Sequence, residues 1–167
     1  MFKVGDIVVY PAHGVSEVES IETREISGNE ISFFILKVLD THMTVMVPVT
    51  NVENVGIREL IDKKGIDKVL GILKERSVSV DNQTWNRRYR EYMEKIKSGS
   101  AFEIAEVLRD LNILKRGKEL SFGVRQMYDT ARNLLVNEIA TSKKIGKKAV
   151  EKMLLEAMGK IELRQDP

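Results

Sequence analysis

Apolar and polar positions change their rhythm near residue 60. Before that point the apolar residues fall in short runs broken by turn formers, and after it they recur every three or four positions almost to the end of the chain. Asp6-Ile7-Val8-Val9-Tyr10 is closed by Pro11-Ala12-His13-Gly14, and residues 15–22 mix apolar and polar positions as an exposed strand does. Ser27-Gly28-Asn29-Glu30 predicts a hairpin turn, because Gly and Asn tolerate the positive φ that tight hairpins need. It leads into residues 31–39, a strong β run. Asp40-Thr41-His42 turns the chain again, and residues 43–49 predict the next strand.

Short strands punctuated by Gly, Pro and Asn predict a small curled sheet or barrel of the SH3 or Tudor kind. Pro48 cannot donate to a ladder, so it marks residues 44–48 as an edge strand or a strand end. Two readings of that edge stand side by side: a partner adds a strand to it, or the proline caps it against aggregation.

From about Asp62 the period is helical. Asp62 or Asp67 is positioned to cap a helix whose apolar face includes Ile66, Val69, Leu70 and Leu73. Residues 77–82 predict a loop into a helix that begins at Trp85 and ends near Lys97-Ser98-Gly99. Ser100 and Glu103 have capping-box spacing and open a helix burying Ile104, Val107, Leu108 and Leu111, closed by the cations of Lys115-Arg116-Gly117-Lys118. Ser121 caps the longest helix, with Val124, Met127, Tyr128, Ala131, Leu134, Leu135 and Ile139 on one face. A last helix packs Val150, Met153, Leu154 and Ala157, and residues 161–167 are expected to fray. The chain is therefore read as α+β with two domains: a small Tudor/SH3-like β barrel over residues 1–60 and an all-helical domain of about five helices over residues 61–167.

Trp85-Asn86-Arg87-Arg88-Tyr89-Arg90 concentrates the only tryptophan with three arginines and a tyrosine. Guanidinium groups neutralise phosphates, while an indole stacks on a base or wedges into a groove. The helical wheel supports a different reading. Trp85, Tyr89, Tyr92, Met93 and Ile96 recur at helical spacing, so Trp85 equally begins a buried stripe. Arg87 and Arg90 have Glu91 and Glu94 four residues on, the spacing of surface ion pairs worth about 0.2–0.5 kcal/mol each. Arg88 has no acid there, and Arg125 has Asp129. Lys143, Lys144, Lys147 and Lys148 read as a solvated face, with weak phosphate contact as the alternative.

Charge sharpens the division. Residues 1–60 carry four Lys/Arg against nine Asp/Glu, whereas residues 61–167 carry 23 against 16, so a net charge of +2 conceals an acidic module and a basic one. The basic module favours a polyanion, without enough excess to bind one tightly by charge alone. The absence of cysteine excludes disulfides, thiolate zinc sites and cysteine nucleophiles, and fits a reducing compartment. No signal-peptide core opens the chain and no run reaches the ~18 apolar residues of a membrane span, so a cytoplasmic protein away from membranes is expected. His13 and His42 lie in predicted turns without partners at a recognisable spacing, and no glycine-rich phosphate loop or carboxylate pair is present. No enzymatic role, metal or cofactor is expected.

Several motifs together resemble the CarD/CdnL family of bacterial transcription regulators, most closely its CdnL branch. They are the opening Phe2-Lys3-Val4-Gly5-Asp6-Ile7-Val8-Val9-Tyr10-Pro11-Ala12-His13-Gly14-Val15, the strand Val45-Met46-Val47-Pro48, Asn54-Val55-Gly56-Ile57-Arg58 and the tryptophan block. Glu106-Val107-Leu108-Arg109-Asp110-Leu111 and Met127-Tyr128-Asp129-Thr130-Ala131-Arg132 extend the resemblance over almost the whole chain. The opening motif alone also resembles the polymerase-binding module of transcription-repair coupling factors.

The resemblance implies a Tudor-like domain that docks on the β subunit of RNA polymerase by strand-to-strand pairing, and a helical domain that touches promoter DNA. Carried onto this sequence, the docking positions are Val45, Met46, Val47 and Pro48, with Arg24 from the neighbouring strand. Several relatives have arginine where this chain has Met46, which favours an apolar contact. On the DNA side the resemblance implies Trp85 as an exposed wedge in the minor groove at the upstream edge of the melted bubble. Arg87, Arg88, Arg90 and Arg125 match phosphate-contacting positions. The protein so implied is a monomer in solution that stabilises the open complex with little sequence specificity. Two other classes are a sequence-specific DNA-binding repressor, with a helix-turn-helix around Ser98-Gly99-Ser100 and Arg109 or Asn112 reading bases, and a protein-interaction adaptor without a DNA role.

Overall fold

The computed structural model describes residues 2–75, 85–114 and 121–163, and the side chains within those segments other than those of 85, 86 and 160–163. The predicted loop at 77–82 and the helix end at 115–118 lie outside the described residues. The chain divides into two compact units, Met1–Leu60 and Ile61–Pro167.

The first unit is a five-stranded antiparallel sheet in the order β4-β3-β2-β1-β5. Its strands are β1 (Ile7–Tyr10), β2 (Gly14–Ile26), β3 (Asn29–Val38), β4 (Thr44–Pro48) and β5 (Arg58–Glu59). A 3-10 turn at Val49–Asn51 and a one-turn helix α1 (Val52–Val55) link β4 to β5. Alternate residues face one side, as a pleated strand requires. Val8, Val18, Phe34, Leu36, Val47 and Ile57 thereby meet in one apolar cluster, with Val45 packed against it.

β2 runs four residues beyond the predicted 15–22, because Ile26 pairs with Asn29 across a turn made of Ser27 and Gly28 alone. Both turn residues have positive φ, at 52° and 80°, the requirement of a two-residue I′ hairpin. Serine thus takes the left-handed position expected of asparagine, and Asn29 is already strand. The two-residue β5 and the four-residue α1 are too short to show a period and were not anticipated by the sequence pattern.

Among the described residues the second unit holds five helices, α2 (Lys63–Lys74), α3 (Trp85–Lys97), α4 (Ala101–Leu114), α5 (Phe122–Lys143) and α6 (Lys147–Leu163). Asp62, not Asp67, caps α2, accepting a hydrogen bond from the Gly65 amide at 2.8 Å. Ser100 and Ser121 accept from the amides of Glu103 and Val124 at the starts of α4 and α5, both at 3.4 Å. The predicted faces close on one core in which Val69, Leu73, Val107, Leu108, Leu111, Ala131 and Ile139 are inaccessible to solvent. Helix α6 continues to Leu163, three residues into the segment expected to fray. The first residue of this unit is held at both backbone atoms by α5. Ile61 donates to the buried Glu138 Oε2 at 2.8 Å, and its carbonyl accepts from Ser142 Oγ at 2.6 Å. Among the described residues no helix is long and apolar enough to cross a membrane.

Candidate functional site

Among the described residues strand β4 pairs with β3 alone, in the register Phe34↔Val47, Ile35↔Met46 and Leu36↔Val45, so no described residue places a strand on its other edge. The Val38 amide bonds to the Met43 carbonyl at 2.8 Å across the preceding turn. By the alternation of an antiparallel ladder, Val45 and Val47 then exchange bonds with β3, and the backbone of Thr44 and Met46 faces the open edge. Side chains alternate too. Val45 and Val47 point to the module's own core and spend their backbone groups on β3, leaving neither to offer a partner strand, while Met46 is 40% exposed on the opposite face.

Arg24 is not on the strand beside β4. It lies on β2, across β3, paired with Ile31. Cross-strand partners share a face, so Arg24, Ile31, Phe33, Met46 and Pro48 nonetheless stand on the same side of the sheet. The Arg24 guanidinium meets Glu22 Oε1 at 3.1 Å, and both side chains are largely exposed.

Trp85 is the first residue of α3, and its side chain lies outside those described. Further along the same stripe Tyr92 and Ile96 are buried, Met93 is half-buried, and Tyr89 stays 38% exposed. Of the two anticipated surface pairs only one forms. Arg87 Nε lies 3.6 Å from Glu91 Oε1, whereas Arg90 is exposed and makes no ion pair among the described residues. Arg88 is half-buried, close enough to Tyr92 to act on its phenol. Arg125 is exposed on the first turn of α5. Its expected partner Asp129 is taken by Arg132 at 3.5 Å, one turn later.

Base reading by α4 is contradicted by burial. Arg109 and Asn112 are 8% and 3% exposed, so neither reaches a base edge. Polarity on a helix suggested availability, but partners distant in sequence have drawn Arg109 inward. Among the described residues no group of three or more His, Asp or Glu is disposed to hold a metal ion.

Residues 2–61 match the CarD-like/TRCF RID domain and residues 68–155 match the CarD C-terminal domain, in that order. The chain is 32% identical over 151 residues to "Putative transcription factor YdeB" of Bacillus subtilis (strain 168), covering 90% of this chain and 98% of that one. The chain belongs to the CarD/CdnL family. It is a transcription regulator of that type. Two solved N-terminal domains from Myxococcus xanthus are also similar. CdnLNt is 44% identical over 38% of this chain and 89% of its own, with a TM-score of 0.33. The 72-residue domain of CarD is 36% identical over 35% and 79%, with a TM-score of 0.31.

In this CarD-family chain the DNA-contact candidates on α3 rest on a polar network that the sequence did not reveal. Arg109 Nη1 reaches Glu75 Oε2 at 2.8 Å, its Nε reaches Asp110 Oδ1 at 3.0 Å, and the Tyr92 hydroxyl donates to Asp110 Oδ2 at 3.2 Å. Two consecutive residues of α4 thereby hold the end of α2 and the middle of α3, on either side of Trp85 in the chain. A buried arginine of this kind has no local signal, because its partner Glu75 stands 34 positions away.

Burial, followed by the charge of Asp110, pushes the Tyr92 phenol well above the ordinary tyrosine range, against the opposing pull of Arg88 and Arg109. A raised folded-state value gives stability that is fully present below the unfolded pKa of about 10 and is lost as pH rises toward the folded value. Urea unfolding at successive alkaline pH values should therefore show stability falling by up to about 1.4 kcal/mol per pH unit above pH ~10. Tyr92→Phe should lose that component of the slope and about 1 kcal/mol at neutral pH. An identical alkaline slope in the variant would contradict the assignment.

Proposed function

We propose that this regulator docks on the β subunit of RNA polymerase through the β4 edge and stabilises the promoter open complex through its helical unit. The unpaired backbone of Thr44 and Met46 is the observation that carries the reading, since an open edge is a ready template for a partner strand. Met46 and Pro48 add apolar contact beside it. Val45 and Val47 act indirectly, fixing the strand on its core and on β3 so that the outward backbone is held in place, and Arg24 supplies a cation on the Met46 face. At the promoter, Trp85 wedges into the minor groove at the upstream edge of the bubble. Arg87, Arg88, Arg90 and Arg125 position phosphates, giving little base readout. The protein acts as a monomer in the cytoplasm, without cofactor or catalytic step. Docking raises the local concentration of the helical unit at the promoter, so weak DNA affinity suffices.

Met46→Pro removes an outward amide without touching the core face. Binding to polymerase should fall more than tenfold, the loss of more than about 1.4 kcal/mol, while Met46→Ala keeps most of it. Undiminished binding by a folded Met46→Pro protein would defeat docking through this edge.

A further inference from the structure

We propose that the groove between α3 and α5 is a pocket for a single unpaired nucleobase of melted DNA. The inference rests on the DNA-contact reading above and adds to it a second element that discriminates melted from paired strands.

The groove has a volume of about 460 Å³, in the range of small-ligand sites. Helix α3 contributes Tyr89 and Met93 to its wall, and α5 contributes Met127 together with Gln126, Thr130 and Asn133. The partly exposed Tyr89 ring and the half-buried Met93 thioether give flat, polarisable surface for a ring to lie against, with the buried Met127 as the floor. The two amides and the hydroxyl offer donors and acceptors together, the combination that a base edge engages. Gln126, Thr130 and Asn133 are exposed, so their polar ends are open to an incoming group.

Charge separates a base from other ligands. Among the described residues no lysine or arginine lines the groove, and the one carboxylate among them, Asp129, is held by Arg132 at 3.5 Å. The described lining thus offers a phosphate no cation, whereas its amides and hydroxyl suit the neutral edge of a base. Exposed cations stand on the same two helices outside the lining: Arg90 next to Tyr89 on α3, and Arg125 next to Gln126 on α5. A neutral heterocycle within and anionic groups without is the charge pattern of one nucleotide in a strand. A base stacked and paired in duplex DNA cannot enter, so occupancy requires melting, and the pocket binds the open state in preference to the closed. Tyr89 lies one helical turn after Trp85, which places the pocket next in line along α3 from the proposed wedge.

The test is an abasic walk with the full-length protein. Binding at low salt is measured by fluorescence anisotropy to a forked duplex bearing a short single-stranded tail, in which each unpaired base in turn is replaced by an abasic site. The expected result is one position at which the loss weakens binding about tenfold, the scale of one base stacked on an aromatic side chain. That penalty should vanish in Tyr89→Ala and in the surface variant Gln126→Ala/Asn133→Ala, which leaves the core untouched. A fork that binds with no position-specific penalty, or a penalty that persists unchanged in both variants, overturns the pocket and leaves the DNA contact standing. Absence of binding to fork and duplex alike at protein concentrations approaching the ~mM that a tether supplies overturns both.

Discussion

Arg109→Ala should lower the unfolding free energy of the helical unit by about 3 kcal/mol, because it leaves a nearly buried carboxylate without its cation. The Arg109 side chain is 9% exposed and that of Asp110 14%, so little water is present to take over the lost interaction. The bond to Glu75 contributes less, since that side chain is 53% exposed and largely screened. The cost is therefore dominated by the 3.0 Å contact with Asp110, which would keep only the Tyr92 hydroxyl. Urea unfolding followed by the single tryptophan reports this unit selectively, because residues 1–60 contain none. The midpoint should fall with an unchanged slope. The double variant Arg109→Met/Asp110→Leu should recover most of the loss, since a buried ion pair replaced by apolar groups of similar volume is often neutral or better. A loss below about 1 kcal/mol in Arg109→Ala would show the pair to be effectively solvated.

The functional consequence follows from where the network is anchored. Glu75 is the residue that caps the end of α2 and Tyr92 sits in the middle of α3, so Arg109 and Asp110 fix the chain on both sides of the tryptophan block. A wedge loses force if the helix that carries it can yield. The motif Glu106-Val107-Leu108-Arg109-Asp110-Leu111, which carries part of the family resemblance, thus holds α3 in place.

Elements with a full period were legible in the sequence. The α5 stripe from Val124 to Ile139 and its Ser121 cap, the α4 face at Ile104, Val107, Leu108 and Leu111, and the edge character of the strand containing Pro48 are properties of local spacing. What escaped depended on partners distant in sequence or on segments too short to repeat. Arg109 and Asn112 looked available because a wheel cannot show which polar face another helix covers. Arg24 was placed beside β4, whereas strand order, a tertiary fact, puts β3 between them. Arg90 and Arg87 have identical spacing to an acid, yet only Arg87 uses it.

The central claim is that a wedge tethered to polymerase shifts the melting equilibrium by binding open DNA better than closed. Parting a base step costs a few kcal/mol, and a wedge that meets the step only after it has parted recovers some of that cost in the open state alone. Loss of one indole contact of about 1–2 kcal/mol corresponds to roughly a tenfold change in an equilibrium. The decisive measurement is the lifetime of the open complex on a ribosomal-RNA-type promoter, using polymerase with its housekeeping σ factor, with no added regulator, with the intact chain and with Trp85→Ala. The account predicts a longer lifetime with the intact chain, and a return most of the way to the unaided value with Trp85→Ala at undiminished polymerase binding. A lifetime equally long with the variant would contradict the wedge, and no extension by a polymerase-bound intact chain would reduce the protein to an adaptor.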